Sequence, residues 1–270
     1  MIEVYTARMR QPEIITSRSD PAIQRLMDIS KPAFKPGSIM FLEDEIPVRE
    51  AILSGAKVVE VYADENHSPR ELMELCASRS VPFRFISASL MSGIFKAGRR
   101  PDVVGVAVPP RPARLEQIDV DSGDVLILDG VRIVGNIGAI VRSALALKAS
   151  GVVLCDSQLA TVMDRRLVRA SRGFVFSLPV VLADAADVVR WAKPRCRIVR
   201  FAADGDVPIS ELTSIRSPLA LVLGSELRGV SSELGAAADL TASIQMRTGV
   251  ESLNVSVAAG IALFVRSEAR

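Results

Sequence analysis

Three stretches of the chain combine glycine with polar side chains directly after an apolar run. The first is residues 135–138 (Gly-Asn-Ile-Gly), which follows the apolar residues 124–128 and carries Asn136. The apolar run predicts a buried strand, and the spacing of apolar residues beyond the loop predicts a helix. Glycine in the loop would permit positive φ angles and a close approach of a ligand to the backbone. Arg142, four residues beyond Gly138, would lie on the same helix face as that glycine.

The other two stretches place carboxylate, amide and hydroxyl groups at similar points. Residues 223–229 (Leu-Gly-Ser-Glu-Leu-Arg-Gly) set Glu226 between an apolar strand and a predicted helix. A carboxylate there can cap backbone amides, or it can hold a polar ligand group or orient the arginine of the first stretch. Residues 244–256 place Asn254 and Ser256 early in a strongly apolar helix. Polar groups on a buried helix need hydrogen-bond partners, which a pocket formed by converging loops would supply.

Basic residues are concentrated in two segments, although the net charge of +2 over 270 residues does not by itself indicate a nucleic-acid-binding protein. Each segment has two possible interpretations. It is a solvated surface or a contact surface for phosphate groups. The first segment contains Lys96, Arg99, Arg100, Arg111 and Arg114, and the second contains Arg165, Arg166, Arg169 and Arg172.

Histidine and cysteine are too few for several common kinds of site. The single histidine, His67, excludes a histidine-rich metal site and argues against catalysis through a histidine base. The three cysteines lie far apart without a Cys-x-x-Cys pair, so neither a disulfide framework nor a zinc site is indicated. Cys155 closes an apolar run and is interpreted as a small core residue. We therefore expect no metal.

The first 108 residues predict an α/β/α domain. Polar residues 1 to about 20 precede alternating predicted elements, and the proline-rich residues 109–118 predict a stiff linker. No apolar run reaches the roughly 18 residues needed to span a bilayer, and the amino terminus lacks the apolar core of a signal peptide, so we expect a cytoplasmic protein. A first helix is predicted to follow the N-cap signal at residues 19–21 and to end at residue 29. Further helices are predicted for 47–54, 69–77 and 88–95, and strands for 58–62, 81–86 and 103–108.

Residues 119–270 predict a second α/β domain. Units of strand, loop, helix and strand build parallel sheets, whose sites lie at the carboxyl ends of the strands. Strands are predicted for 124–128, 152–155, 174–181, 197–202, 218–223 and 242–246, and helices for a segment starting at 137 and for 165–171, 183–193, 231–238 and 253–266. A nucleotide-cofactor oxidoreductase on a doubly wound sheet is one alternative, although the glycines do not form the dinucleotide pattern. A non-catalytic RNA-binding protein is another.

In this order and at these separations, the motifs resemble the SPOUT class of RNA methyltransferases, in its 2′-O-ribose (SpoU/TrmH-like) branch. The matching residues are Asn136-x-Gly138-x-x-x-Arg142, Leu223-Gly224-Ser225-Glu226-x-x-Gly229, and Ile244-x-Met246 with Ser252-Leu253-Asn254-Val255-Ser256. The resemblance covers roughly residues 119 to 268. Residues 165–179 and 248–263, with the α/β domain in front, are more narrowly similar to the thiostrepton- and nosiheptide-resistance enzymes.

This resemblance implies a reaction, a cofactor and a fold. The reaction is transfer of a methyl group from S-adenosylmethionine to the 2′-hydroxyl of an adenosine in 23S rRNA, in the GTPase-associated centre, with resistance to thiopeptide antibiotics as its result. The fold is a parallel-sheet SPOUT domain with a trefoil knot, preceded by an RNA-binding domain similar to ribosomal protein L30e. The resemblance further implies a homodimer in which the other subunit completes the site.

The resemblance also assigns roles to individual residues. The third motif departs from the family at Gln245, where proline is common. We expect glutamine at this position to leave cofactor binding intact, because that pocket wall consists mostly of backbone contacts. The implied catalytic residues are Arg142, Asn136, Glu226 and Ser256. The implied cofactor-binding residues are Phe201, Leu223, Gly224, Ser225, Ile244, Gln245, Met246, Leu253 and Asn254. The candidate RNA contacts are Arg165, Arg169, Arg172, Lys96, Arg99 and Arg100.

Overall fold

The computed structural model describes residues 13–31, 39–95, 100–225 and 227–269. The chain divides into two compact units, of which the first ends at Pro110 and the second begins at Arg111. Within the described ranges, no helix has the length and apolar character needed to cross a membrane.

The first unit contains a five-stranded sheet and four α-helices in the described ranges. Its strands are β1 (Ile14–Ile15), β2 (Met40–Glu43), β3 (Val58–Asp64), β4 (Phe83–Ile86) and β5 (Val103–Ala107), and its helices are α1 (Pro21–Ile29), α2 (Glu45–Leu53), α3 (Arg70–Ser78) and α4 (Ala88–Ile94). The strand order is β1-β4-β3-β5-β2, and β5 is antiparallel to both of its neighbours. The sequence does not predict β1 or β2, because two and four residues are too few to show a period.

Helix α1 packs on one face of this sheet. The side chain of Asp20 accepts a hydrogen bond from the amide of Ala22 at 2.7 Å and caps the helix. Ile23 and Leu26 are fully buried and contact a core that includes Tyr62 of β3. The helix therefore follows from its capping residue and from apolar residues three positions apart.

The described residues of the second unit form a seven-stranded sheet in which every neighbouring pair is parallel. The strands are β6 (Val125–Asp129), β7 (Gly151–Cys155), β8 (Val180–Leu182), β9 (Arg197–Phe201), β10 (Val207–Pro208), β11 (Leu219–Gly224) and β12 (Leu240–Ser243). The helices are α5 (Val134–Ala146), α6 (Arg165–Ala170), α7 (Ala185–Ala192), α8 (Ser232–Ala237) and α9 (Val255–Ser267). The order β10-β12-β9-β11-β6-β7-β8 confirms the predicted α/β fold with a parallel sheet.

Two predicted strands of this unit are placed wrongly. The apolar residues 174–181 do not form one strand, because Gly173 adopts a φ of +80° and residues 174–176 close into a 3₁₀ turn. The amide of Leu178 then bonds to the carbonyl of Phe174 at 3.0 Å, and only β8 joins the sheet. The strand predicted for residues 242–246 lies earlier in the chain, as β12, so the third motif begins in the loop beyond it.

A buried ion pair anchors the carboxyl end of α9. Arg266 is 1% exposed, and its Nε donates to a carboxylate oxygen of Asp124 at 2.8 Å. The same guanidinium donates to backbone carbonyls within residues 212–217. Asp124 also accepts the amide of Leu219 at 2.8 Å, so the pair ties the last helix to the starts of β6 and β11.

Candidate functional site

A cavity of about 450 Å³ lies at the carboxyl ends of β9 and β11. Of the residues implied for cofactor binding, all except Gln245 and Asn254 line it. The lining residues from that set are Phe201, Leu223, Gly224, Ser225, Ile244, Met246 and Leu253. The second and third motifs, far apart in the chain, thus meet around one cavity.

The loop after β11 folds back tightly on itself. A Cβ atom on Gly224 would lie 2.1 Å from the carbonyl carbon of Gly229 and 2.3 Å from the nitrogen of Val230. Gly229 adopts a φ of +64°, and its amide donates to the carbonyl of Ser225 at 2.9 Å. Glycine is therefore required at 224 by the contact between two backbone segments. Glu226, in the same loop, lies outside the described residues.

The neighbouring strand ends hold this loop in place. Buried Asp129, the last residue of β6, accepts the amide of Ser231 at 2.7 Å. Gly130 has a φ of +70° and donates its amide to the carbonyl of Cys155 at 2.9 Å. Burial and the nearby Asp129 charge raise the pKa of the Cys155 thiol to about 12, so this cysteine stays protonated near neutral pH and is no nucleophile.

In the described part of the chain, no group of three or more His, Cys, Asp or Glu residues could hold a metal ion.

The first motif lies on a helix rather than in a loop. Helix α5 begins at Val134, and neither Gly135 nor Gly138 has a positive φ. A Cβ on Gly138 would lie 2.4 Å from the Cβ of Ala170, whereas a Cβ on Gly135 would meet nothing within 4 Å. The prediction that these glycines permit positive φ angles is wrong. The physical role of Gly138 is to let α6 approach α5 closely.

Three polar residues of the first and third motifs form one hydrogen-bonded group. Asn254 caps α9, and its Oδ1 accepts the amide of Ser256 at 2.9 Å and the Ser256 hydroxyl at 2.6 Å. Its Nδ2 donates to the Oδ1 of Asn136 at 3.3 Å. Because Leu253 and Val255 line the cavity on either side of Asn254, this group lies at its edge.

Arg142 does not line the cavity of its own chain. It is six positions beyond Asn136, about 240° around the helix, so the two side chains leave α5 in different directions. As expected, it lies four residues after Gly138 and therefore on the side of α5 that faces α6. The side chain is exposed and forms no hydrogen bond or ion pair with any residue that the structure describes.

The basic residues in and just after α6 differ in their exposure. Asp164 caps this helix and binds the Arg166 side chain, and the side-chain hydrogen bond from Arg166 lowers the pKa of Asp164. Arg169 and Arg172 are exposed, and Arg165 is half-buried. Arg166 is thus paired with Asp164, and the three arginines of the RNA prediction are at least partly exposed.

The predicted basic segment of the first unit is described only at Arg100. Its guanidinium donates to the buried carboxylate of Asp64 and, at 2.8 Å, to the hydroxyl of Ser92. Arg100 therefore connects elements within the first unit. Lys96 and Arg99 lie outside the described residues.

The cavity also contains charged residues that the sequence predictions missed. Arg200, Arg228 and Glu251 line it, and the Nε of Arg200 donates to the hydroxyl of Thr241 at 2.8 Å. The place of Arg228 inside the second motif was a usable signal. No sequence pattern pointed to Arg200. Side chains alternate along a strand, so the prediction of Phe201 as a lining residue argued against its neighbour Arg200.

Comparisons with known proteins cover both halves of the chain. Residues 12–121 match the family described as thiostrepton-resistance methylase, N terminus, and residues 124–264 match the SpoU rRNA methylase family. The chain is 44% identical over 260 residues to the 23S rRNA (adenosine(1067)-2′-O)-methyltransferase of Streptomyces azureus, a match that covers 96% of this chain and 97% of the relative.

Two solved structures are similar over nearly the full length. An AdoMet-bound rRNA methyltransferase from Sinorhizobium meliloti has a TM-score of 0.77 and 26% identity, over 95% of this chain and 98% of that one. The SpoU methyltransferase AviRb from Streptomyces viridochromogenes, in complex with AdoMet, has a TM-score of 0.75 and 26% identity, over 92% and 97%. These likenesses favour methyl transfer over the oxidoreductase alternative. With its three motifs and the matches to both halves, the chain belongs to the SpoU rRNA methylase family.

Proposed function

We propose that this protein transfers the methyl group of S-adenosylmethionine to the 2′-hydroxyl of an adenosine in 23S rRNA. The observation that carries the proposal is the meeting of the three motifs. The second and third line one cavity, and the hydrogen bond between Asn254 and Asn136 adds the first at its edge. The activity named for the relative from Streptomyces azureus agrees with this arrangement. Ribosomal RNA as substrate implies the cytoplasm as the place of reaction.

The cavity suits S-adenosylmethionine in size and in chemistry. Its volume of about 450 Å³ lies within the roughly 300–1,000 Å³ of small-molecule sites. Leu223, Ile244 and Leu253 offer apolar walls for an adenine ring, and Arg228 and Glu251 are charged groups for a carboxylate and an ammonium. When bound, this cofactor supplies a methyl group on a positively charged sulfur, which is already an activated leaving group.

The residues of this chain act chiefly by positioning. Arg142 is assigned to the ribose or to its adjacent phosphate, because a guanidinium binds phosphate through two parallel hydrogen bonds. A guanidinium keeps its charge in proteins and has no acceptor site for a proton, so this side chain is not assigned the role of general base. Asn136, Asn254 and Ser256 frame the acceptor side of the cavity, and Glu226 is assigned to the same site through its motif. Holding the hydroxyl in line with the methyl group supplies a large part of the acceleration.

The active form in this proposal is a homodimer in which each copy completes the other's site. Arg142 does not line the cavity of its own chain, and a second copy would bring in the missing guanidinium. Helix α9 also exposes an apolar stripe at helical spacing, where Val257 and Phe264 are 49% and 58% exposed and flank Ile261. Apolar stripes of this kind commonly mark an interface between subunits.

The finer features of the fold belong to the same proposal. A trefoil knot in the second unit is supported by family membership and by a sheet order in which β11 lies between β9 and β6. Similarity of the first unit to ribosomal protein L30e is supported by its alternation of strands and helices around one sheet. The residues assigned to RNA in this proposal are Arg165, Arg169, Arg172, Arg100, Lys96 and Arg99.

A methyl group on the ribose would protect the ribosome from thiopeptides in two ways. It adds bulk where the antibiotic binds, and it removes a hydroxyl donor. The proposed location in the GTPase-associated centre is supported by the match of residues 12–121 to the thiostrepton-resistance methylase family and by the 44% identity to the enzyme from Streptomyces azureus.

The direct test is methylation of a 23S rRNA transcript with methyl-labelled S-adenosylmethionine. The expected product is one labelled adenosine, found by reverse-transcription stops at low nucleotide concentration and by resistance of its 3′ linkage to alkali. Label on a base or on another nucleoside would contradict the assigned substrate. RNA binding without transfer of label would instead favour the non-catalytic rRNA-binding alternative.

A further inference from the structure

A cluster of charged and polar side chains in the first unit is not used by the site described above. It joins Arg25 of α1, Glu60 and Tyr62 of β3, and Arg84 of β4, and we refer to it as the Arg25–Arg84 cluster. Nη2 of Arg25 donates to Oε2 of Glu60 at 2.7 Å, and Nε of Arg84 donates to Oε1 of Glu60 at 2.5 Å. One carboxylate therefore holds two guanidinium groups.

The groups that hold the two arginines are buried. The Glu60 side chain is 11% exposed, and Tyr62 is fully buried. Burial and the hydrogen bond to Glu60 raise the pKa of Tyr62 to about 12, so the phenol stays protonated and donates to the carboxylate. The guanidinium carbon of Arg84 lies 5.4 Å from the centre of the Tyr62 ring, a cation–π distance.

The arginines themselves remain open to solvent. Their side chains are 38% exposed for Arg25 and 24% exposed for Arg84. With one carboxylate between them, the cluster has a formal charge of +1. Nη1 of each arginine forms no hydrogen bond within the described residues. Two oriented guanidinium groups thus keep donors and an unbalanced positive charge at the surface.

We infer that Arg25 and Arg84 bind a backbone phosphate of the RNA substrate, and that Glu60 orients them for this contact. The inference rests on the proposed function for the identity of the nucleic acid. A guanidinium matches two phosphate oxygens, and side chains that are already held in position lose little conformational freedom on binding. A contact to phosphate adds affinity and register without reading the base.

The test uses full-length protein and a 23S rRNA transcript, with affinity measured by filter binding over a series of salt concentrations. Arg84→Gln and Arg25→Gln are each expected to weaken RNA binding about tenfold. The slope of log affinity against log salt should become shallower by about 0.7–0.9 for each phosphate that the variant no longer neutralises. Affinity for S-adenosylmethionine, measured by calorimetry, should stay at the wild-type value.

Arg190→Gln is the matched control, because it removes the same charge from an arginine that is 76% exposed and paired with Asp187. It should leave affinity and slope unchanged. A wild-type slope in Arg84→Gln, with cofactor affinity retained, would overturn the inference. A merely structural cluster would lower the unfolding temperature without changing the slope.

Two further variants keep the inference open to refutation if the glutamine variants do not fold. Arg84→Lys retains the charge but not the two-pronged geometry, so we expect weaker RNA binding at an unchanged slope; full affinity would overturn the inference. Glu60→Gln raises the positive charge, yet it should weaken RNA binding if orientation matters. Tighter binding would exclude the orienting role of Glu60. Failure of the proposed function is seen separately, as wild-type protein that binds rRNA and transfers no methyl group.

Discussion

The two ends of α9 use their polar residues in opposite ways. At the carboxyl end, Arg266 is 1% exposed and donates only to groups within the protein, among them Asp124. At the amino end, Asn254 and Ser256 form a partly exposed hydrogen-bonded group with Asn136 beside the cavity. One end is fixed in the core, and the other leaves polar atoms partly exposed beside the cavity.

We expect burial, more than residue type, to separate arginines that stabilise the fold from arginines that act in binding or catalysis. A buried guanidinium must satisfy its donors inside the protein, because an unpaired buried charge is very costly. An exposed guanidinium loses little by remaining unpaired. Arginines of the second unit should therefore divide into those that affect stability and those that affect binding or catalysis.

Arg266→Met should have the largest effect, on stability. It removes the guanidinium that balances the buried charge of Asp124, so we expect a loss of about 3–5 kcal/mol in the free energy of unfolding. Urea denaturation followed by circular dichroism measures it. The double variant with Asp124→Asn should recover part of the loss, because the uncompensated charge is then gone. A loss below about 1 kcal/mol would show that the anchor at this end is dispensable.

Arg142→Ala should have a nearly comparable effect, but on the reaction alone. Removal of a group that positions the acceptor is expected to lower the methylation rate about 100- to 1,000-fold. The rate is measured as label transferred to 23S rRNA under single-turnover conditions. Cofactor affinity and unfolding free energy should remain at wild-type values, since the side chain is exposed. Retained turnover would remove Arg142 from the mechanism.

Arg228→Gln should have a moderate effect on cofactor binding. If the guanidinium holds the cofactor carboxylate, affinity for S-adenosylhomocysteine should fall about tenfold. Affinity for 5′-methylthioadenosine, which lacks that carboxylate, should not change, and calorimetry with the two ligands compares them. Arg197→Gln, an exposed position at the start of β9, is the control. An equal loss for both ligands would indicate a general change in the cavity.

Arg190→Gln should have the smallest effect, because its ion pair with Asp187 is exposed at both partners, 76% and 52%. The free energy of unfolding should change by less than about 1 kcal/mol, and methylation should be unaffected. A larger loss of stability in denaturation experiments would weaken the division of the arginines by burial.

The sequence predicts the parts of the fold that depend on local pattern. Apolar runs correctly locate β6, β7 and β11 within one or two residues, because strands buried on both faces are almost uniformly apolar. The same criterion fails at residues 174–181, because residues 174–176 form a 3₁₀ turn after Gly173 instead of continuing as a strand. A short apolar run does not show whether its residues form a turn or a strand.

Local sequence pattern does not predict contacts between residues that lie far apart in the chain. Arg266 lies at the end of an apolar helix, where a basic residue normally faces solvent and favours the helix dipole. Its burial depends on Asp124, which lies 142 residues earlier. Gly138 is a similar case, because the requirement for glycine comes from Ala170 on another helix. The order of the motifs predicted the cavity, but not the presence of Arg200 and Glu251 among its lining residues.

Main chain, rather than side chains, sets the shape of the cavity wall at Gly224, where even one methyl group has no room. Because this wall consists of main-chain atoms, we expect substitution of the surrounding side chains to alter the charge and polarity of the cavity while leaving its width at Gly224 unchanged.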